Sequence, residues 1–283
     1  MISVVQFGTL DYATALRLQQ KLVGLRKESR IGDVLLLLEH SPVITLGRNA
    51  KAANVIAPSD LLQQRGVEVF DCDRGGDVTF HGPGQLVGYP IFDLRGFPAD
   101  DARRKTLGVI EYVRRLEEVL IRTCADFQIS AQRIPGLTGV WTSNNDGGAT
   151  GVPARPPEAR PPQTASPQPK EQAKIAAIGV HISRSVTSHG FALNVNTDLS
   201  YFDLIVPCGI VDKPVTSIAR ELGDLVPLEQ VAQSITRNFG TVFQSQILWI
   251  ETLEALLGET VGVPVKPPPE LRQLHREDDT FWA

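Results

Sequence analysis

The chain has 283 residues, 42% of them hydrophobic, which is enough to build one large domain around a substantial core. Its 28 basic and 32 acidic residues give a net charge of −4, and this balance argues against a polyanionic partner such as nucleic acid. The N-terminal segment lacks the pattern of a signal peptide and no run of about 18 apolar residues occurs, so we expect a cytoplasmic protein with no membrane partner.

Short apolar runs bounded by breakers predict β-strands along most of the chain. A Ser-Pro pair at 41–42, for example, separates one buried strand from the next. In chain order, strands are predicted at residues 2–7, 34–38, 43–46, 67–70, 78–80, 86–92, 175–182 and 191–195.

Apolar residues three or four apart predict the helices. Asp11 stands where a capping residue is expected for the first helix, and Gly66 marks the end of the second. The third helix has Cys124 on its apolar face, so we expect this cysteine in the core. In chain order, helices are predicted at residues 11–26, 59–66, 103–127, 228–243 and 248–257.

Residues 143–172 are rich in Pro, Gly, Ser, Asn and Gln and nearly lack large apolar side chains, so burial cannot offset the entropy of ordering them. Core-like segments flank this stretch, which predicts a disordered insertion inside one domain. We therefore assign residues 1–245 to a single catalytic domain that contains the insertion. Residues 246–283 form a C-terminal extension of unknown function.

Three glycine-containing segments carry candidate reactive side chains: residues 74–90, 173–179 and 206–210. The first has five glycines around an Arg, a Thr and a His, which indicates a sharp turn or a close approach of the backbone. A glycine-rich hairpin at a sheet edge explains the same composition. The segment matches neither a Walker loop nor a dinucleotide-binding fingerprint, so no phosphate cradle is predicted.

Cys208 and Lys174 are the candidate nucleophile and its partner. Cys208 lies between a proline and a glycine after an apolar stretch, and Lys174 precedes an apolar strand. A lysine beside a cysteine can stabilise the thiolate and act as a proton shuttle. A buried inert cysteine and a solvated strand end are the alternatives, because spacing alone does not tell whether the two side chains meet. The odd number of cysteines argues against a disulfide framework and fits a reducing compartment.

The segment RGGDVTFHGPGQLVGYP at residues 74–90 resembles the signature of lipoyl(octanoyl) transferases. KIAAIGV from Lys174, SHGFALNVN at 188–196 and Pro-Cys-Gly at 207–209 match the remaining landmarks of that family in order, and the resemblance runs from about residue 4 to residue 240. It implies an α+β fold shared with biotin and lipoate protein ligases, a mixed β-sheet flanked by helices. It also implies that Cys208 bears the acyl group, with Lys174 as its catalytic partner.

The resemblance further implies which residues line the acyl-chain pocket. These are Arg74, Gly75, Gly76, Asp77, Val78, Thr79, Phe80, His81, Ala177, Ile178, Gly179, Gly190, Phe191 and Ala192. From the residues alone, Arg74 could instead brace a glycine turn and His81 could cap a strand. Two features depart from the family: the insertion at 143–172, and His181 where an arginine is often found.

The implied activity is an acyltransferase reaction. An octanoyl group passes from octanoyl-acyl carrier protein through a cysteine thioester to a lysine of lipoyl domains, in 2-oxoacid dehydrogenases and the glycine cleavage H protein. No cofactor is expected, and no metal, because the histidines form no ligand-spaced cluster with the cysteines.

Three other functions remain open at this point. An ATP-dependent lipoate or biotin ligase on the same fold would activate a free acid and would need no cysteine. A non-catalytic carrier-binding module would hold the acyl chain without a working pair. A cysteine thioester hydrolase would use Cys208 with a histidine, and the candidates are His81, His181 and His189.

Overall fold

Two β-sheets organise the described part of the chain, which in this computed structural model is residues 1–100, 104–143, 172–210, 213–251 and 253. The strands, in chain order, are β1 Ile2–Leu10, β2 Asp33–His40, β3 Val43–Leu46, β4 Glu68–Asp71, β5 Val78–His81, β6 Gln85–Ile91, β7 Ala131–Ile134, β8 Leu137–Thr142, β9 Lys174–Ser183, β10 Val186–Asn194 and β11 Ile247–Trp249.

The large sheet is mixed and has the strand order β11-β1-β2-β6-β10-β9-β8-β7. Strand β1 runs parallel to both of its neighbours, and the other pairs in this sheet are antiparallel. The small sheet has the order β4-β3-β5. With helices packed on the large sheet, this architecture confirms the α+β fold that was predicted.

Helices cover both faces of the large sheet. They are α1 Tyr12–Lys27 on one face and α3 Val109–Asp126, α4 Ile218–Leu222 and α5 Leu228–Val242 on the other, whereas α2 Ser59–Gln64 packs against the small sheet. Asp11 caps α1 as predicted, because its side chain accepts a hydrogen bond from the Thr14 backbone N–H at 2.7 Å. Within the described ranges, no helix combines the length and the apolar character needed to span a bilayer.

The run of four leucines in β2 is explained by its position in the middle of the sheet. Leu35 and Leu37 belong to the hydrophobic cluster under α3 and α5, whereas Leu36 and Leu38 belong to the cluster under α1. Successive side chains of a strand point to opposite faces, so a strand covered on both sides is apolar throughout. Each fully buried leucine contributes roughly 1.5–3 kcal/mol of transfer free energy.

Two of the predicted helices were placed wrongly. Helix α3 begins at Val109, not at residue 103, because Gly108 is its N-cap and the described residues before it are irregular. Leu107 continues the apolar spacing of the helix and is buried, but it belongs to the irregular segment before the helix. The helix predicted at 248–257 is also wrong at its start, since residues 247–249 form β11 beside β1; most of its remainder lies outside the described residues. A short apolar run is ambiguous between strand and helix.

The insertion predicted at 143–172 connects two adjacent antiparallel strands, β8 and β9. Its two ends are held by backbone hydrogen bonds: Thr142 N–H donates to the Ala173 carbonyl at 2.8 Å, and Ser143 N–H to the Ser130 carbonyl at 2.8 Å. Residues 144–171 lie outside the described residues. The insertion, called the excursion below, therefore begins and ends at two strands that are hydrogen-bonded to each other.

Candidate active site

Lys174 and Cys208 meet although they lie 34 residues apart in the chain. Lys174 is the first residue of β9, and Cys208 lies in a short 3-10 turn, Pro207–Gly209. The Lys174 Nζ is 3.2 Å from the Cys208 Sγ. Lys174 N–H donates to the Pro214 carbonyl at 2.8 Å, and Thr216 N–H donates to the Lys174 carbonyl at 2.9 Å. The segment that follows the cysteine is thereby pinned to the strand that carries the lysine.

Asp77 is fixed beside the turn that carries Cys208. Its carboxylate accepts hydrogen bonds from the Asn54 side chain at 2.5 Å, the Val78 N–H at 2.8 Å and the Lys51 N–H at 3.1 Å. A Cβ placed on Gly209 would lie 2.9 Å from Asp77 Oδ2, so any larger residue at position 209 would require the carboxylate or the turn to shift. The carboxylate is held by neutral donors and by the fold.

A cavity of about 360 Å³ opens at this pair, between the small sheet and the large one. Its lining combines apolar side chains and exposed glycine backbone with a few polar groups, as in sites that bind small apolar ligands. The lining residues are Tyr12, Asn49, Arg74, Gly76, Asp77, Thr79, His81, Val87, Tyr89, Gly136, Leu137, Thr138, Lys174, Ala177, Ile178, Gly179, His189, Gly190, Phe191, Ala192, Cys208 and Ile210.

Most of the predicted pocket residues border this cavity, and three do not. Those that border it are Arg74, Gly76, Asp77, Thr79, His81, Ala177, Ile178, Gly179, Gly190, Phe191 and Ala192. Val78 and Phe80 lie in the hydrophobic cluster on the other side of β5, because strand alternation turns Thr79 and His81 toward the cavity. Gly75 does not border the cavity, and its N–H donates to the Val180 carbonyl at 3.0 Å.

Arg74 braces the backbone of the small sheet. Its guanidinium donates to the Thr45 carbonyl at 2.7 Å, to the Thr45 hydroxyl at 2.8 Å and to the Gly75 carbonyl at 3.1 Å. A Cβ on Gly47 would lie 2.6 Å from the Arg74 Nη1. The side chain borders the cavity, yet its donors are directed at the protein.

His81 and His40 are buried neutral imidazoles. Burial lowers the pKa of His81 to about 3 and that of His40 to about 4, against an ordinary value of 6.5. The Gln85 amide N–H₂ donates to Phe80 and Asn194, so its oxygen accepts at 2.8 Å from His81 Nδ1. His81 Nδ1 therefore carries the proton in this arrangement.

Sequence reasoning missed a second polar cluster beside the cavity. His189, which borders the cavity, has its Nε2 2.7 Å from Asp73 Oδ1, and His181 Nδ1 is 3.2 Å from Asp73 Oδ2. Among the described residues, no group of three or more His, Cys, Asp or Glu side chains has an arrangement that could hold a metal ion. The sequence analysis also missed four wall residues, Tyr12, Tyr89, Leu137 and Thr138. Strand alternation could have indicated Tyr89, because it lies on the same face of β6 as the wall residue Val87.

Comparisons with known proteins point to one family. Residues 11–240 match the model of the lipoyl protein ligase A/B catalytic domain. A Koribacter versatilis protein named octanoyltransferase is 57% identical over 278 residues, covering 98% of each chain. Another octanoyltransferase, from Acidobacterium capsulatum, is 52% identical over 92% of this chain and 97% of its own length.

Solved structures share the fold at low sequence identity. The P. falciparum LipL1 structure in complex with lipoate has a TM-score of 0.60 at 13% identity, covering 92% of this chain and 69% of that one. The bipartite lipoate protein ligase of Thermoplasma acidophilum, described with its E2 lipoyl domain, has a TM-score of 0.56 at 14% identity, covering 90% and 88%. With the family match and the close relatives, the chain belongs to the lipoyl protein ligase A/B catalytic domain family, and to its octanoyltransferases.

Proposed function

We propose that the chain moves an octanoyl group from octanoyl-acyl carrier protein to a specific lysine of lipoyl domains, through a thioester on Cys208. The observation that carries this proposal is the 3.2 Å contact between Lys174 Nζ and Cys208 Sγ at a largely apolar cavity. The lipoyl domains of 2-oxoacid dehydrogenases and the glycine cleavage H protein are the proposed acceptors. Three free cysteines fit a reducing compartment, so we place the reaction in the cytoplasm.

The first half-reaction exchanges one thioester for another. The Cys208 thiolate attacks the acyl carbonyl of the donor, a C–S bond forms, and the bond to the carrier thiol breaks. The Lys174 ammonium can stabilise the thiolate before the attack and give a proton to the leaving thiolate. Because a thioester is lost and another is made, the step is nearly balanced in free energy and needs no ATP.

The second half-reaction forms an amide. A neutral amine of the acceptor lysine attacks the Cys208 thioester carbonyl, the C–S bond breaks and the sulfur leaves as a thiolate. Having given up its proton in the first step, Lys174 can accept the proton that the amine nitrogen loses. Thiolate and ammonium are then restored together, so the same pair serves both halves.

The cavity supplies binding energy for the acyl chain. Walls such as Val87, Ile178 and Phe191 are apolar, and the glycines at 179 and 190 leave backbone without side chains beside them. Burying a methylene contributes about 0.8 kcal/mol, so most of an eight-carbon chain would contribute several kcal/mol. This term supports a preference for a medium-length saturated chain.

The alternative functions account for fewer of these contacts. An adenylating ligase has no need for the Lys174–Cys208 pair. A hydrolase of the cysteine–histidine type lacks its base, since among the described residues no histidine hydrogen-bonds Cys208. A carrier-binding module leaves the buried lysine beside the thiol unexplained.

The test is transfer to a purified lipoyl domain from octanoyl-acyl carrier protein, without ATP. We expect a modified lysine with the wild type, none with Cys208→Ala, and full transfer with Cys72→Ala, which removes another partly exposed thiol. Modification only from free octanoate plus ATP would move the chain to the ligases. Free octanoate released with the acceptor lysine untouched would move it to the hydrolases.

A further inference from the structure

An indole ring lies behind the ammonium of Lys174. Trp141 and Lys174 are cross-strand partners in the antiparallel pair of β8 and β9. The Lys174 Nζ lies 5.1 Å from the centroid of the Trp141 ring, in addition to its contact with Cys208 Sγ at 3.2 Å. A cation within about 6 Å of an aromatic centroid is attracted by the ring quadrupole, and tryptophan is the strongest of the aromatic partners.

Hydrogen bonding does not explain why an indole stands at this position. Trp141 is fully buried, and its Nε1 finds no partner among the described residues. A buried indole N–H normally has an acceptor, because leaving it unpaired is unfavourable. Phenylalanine would fill much of this space without an orphaned donor. The feature that the indole adds is a larger and more electron-rich face toward Lys174.

Gly139 lets the same strand close on the lysine stem. It has φ +121°, and a Cβ there would lie 2.9 Å from Lys174 Cε and 2.7 Å from the Ala176 carbonyl oxygen. Its N–H donates to Glu117 Oε1 at 3.2 Å, which ties β8 to helix α3. The stem of Lys174 thus runs in a narrow slot made by β8.

The carboxylates near this slot are engaged elsewhere. Glu117 is fully buried and pairs with Arg114 at 2.7 Å and Arg133 at 3.1 Å. Asp77 accepts from the Asn54 side chain and from backbone N–H groups. Within the described ranges, Lys174 has no ion pair with a carboxylate, although its side chain is mostly buried. The described groups that contact its ammonium are therefore the Trp141 ring and the Cys208 sulfur.

We propose that Trp141 is a positioning residue that keeps Lys174 charged and directed at Cys208, with Gly139 closing the slot. The inference rests on the proposed function, in which this pair carries the reaction. The ring favours the ammonium, and the ammonium in turn favours the thiolate. Removal of the ring weakens the ion pair, so the proton is found more often on sulfur and the nucleophile is less abundant at neutral pH.

Alkylation of Cys208 measures the thiolate without any acyl donor. The full-length protein is treated with iodoacetamide across pH 5.5–9, and the Cys208 peptide is followed by mass spectrometry. Burial raises the pKa of Cys124 to about 12, so that thiol stays inert, and the Cys72 peptide is read separately. For Trp141→Leu we expect alkylation at pH 7 to be slower by about threefold to tenfold, with the profile moved to higher pH.

The controls separate a specific effect from a loss of structure. Trp141→Phe keeps a weaker aromatic face and should lose less than Trp141→Leu, whereas Trp249→Phe, in edge strand β11, should leave the profile unchanged. In a Lys174→Met background, Trp141→Leu should change the rate by less than about twofold, because no cation remains for the ring to hold. If Trp141→Leu does not fold, Trp141→Phe is compared in both backgrounds, and its smaller effect should also vanish in Lys174→Met.

Equal losses with and without Lys174 would overturn the inference and leave Trp141 as packing alone. Octanoyl adduct formation, measured in parallel, keeps this result apart from the proposed function. An adduct on the wild type with no coupling between Trp141 and Lys174 refutes the positioning role only. Coupling without an adduct supports the positioning role and refutes the transferase.

Discussion

Backbone conformation at two consecutive residues presents the candidate nucleophile. Cys208 has φ 55° and Gly209 has φ 66°, both in the left-handed region. For a residue with a Cβ this conformation costs roughly 1–2 kcal/mol, and such residues cluster at functional sites. The turn that brings Cys208 to Lys174 is therefore held by its surroundings, among them the Asp77 carboxylate beside Gly209.

Substitution of Gly209 by alanine, compared with a control glycine, should separate the effect of backbone strain on stability from the effect of a displaced turn on Cys208 acylation. The added Cβ meets Asp77 Oδ2, so we expect acylation of Cys208 to fall by at least tenfold, besides a stability loss of about 1 kcal/mol. Gly223→Ala is the matched control, because Gly223 has φ +77° but nothing within 4 Å of its would-be Cβ. Urea unfolding and single-turnover acylation measure the two effects. Normal acylation in Gly209→Ala would contradict the role given to this turn.

The buried histidines should make stability depend on pH in a mildly acidic window. The pKa of His81 is about 3 and that of His40 about 4 in the folded protein, below the ordinary 6.5. As the pH falls below 6.5, these histidines take up protons in the unfolded chain while they stay neutral in the folded protein. The free energy of unfolding is therefore highest above pH 6.5 and falls with pH, by about 1.4 kcal/mol per pH unit for each histidine. Asp93 and Asp126 have pKa values lowered from 3.8, so their contribution to stability is lost mainly below pH 5.

Urea unfolding at pH 7 and pH 5 measures this dependence. We expect the wild type to be several kcal/mol less stable at pH 5 than at pH 7, and this difference to be about 2 kcal/mol smaller in His81→Gln. His81→Gln also removes a hydrogen bond to Gln85, so its stability at pH 7 is the reference for its own value at pH 5. An unchanged slope in His81→Gln would show that His81 titrates normally in the folded state.

At the scale of elements, local signals located what they physically determine. The cap at Asp11 was predictable because it depends on neighbouring residues alone, and the burial of β2 was predictable because a strand covered on both faces is apolar throughout. The start of α3 was misplaced because Leu107 continues the apolar spacing, although the helix begins only after its N-cap, Gly108. Strand β11 was read as a helix because three residues acquire strand geometry only by pairing with β1. The spacing of apolar residues within a short segment does not show which distant strand the segment pairs with.

The excursion between β8 and β9 should be dispensable for folding and transfer. Replacing residues 144–171 by a four-residue Gly-Asn-Gly-Ser linker keeps the hydrogen bonds of Thr142 and Ser143 that hold the ends. Loop closure depends only weakly on length, so we expect the free energy of unfolding to stay within about 1 kcal/mol. Octanoyl transfer to a lipoyl domain should also persist. A large loss of transfer with normal stability would assign the excursion a role in binding a carrier or an acceptor.

For the whole molecule, the sequence indicated which residues are reactive but not how the fold brings them together. Cys208 and Lys174 were identifiable as residue types in suggestive contexts, and the resemblance joined them. Their contact depends on the isolated bridge between Lys174 and Val215, which no spacing reveals. The split between wall residues such as Thr79 and core residues such as Phe80 likewise depends on which face of β5 meets the cavity.

Intact-protein mass spectrometry shows directly whether Cys208 carries the octanoyl group. The enzyme is mixed with octanoyl-acyl carrier protein in the absence of an acceptor, beside Cys208→Ala and Lys174→Ala. We expect a single octanoyl adduct on the wild type that hydroxylamine removes, no adduct on Cys208→Ala, and slow adduct formation on Lys174→Ala. An adduct that persists in Cys208→Ala, or a wild type that transfers octanoate to a lipoyl domain only from free acid with ATP, would contradict this role of Cys208.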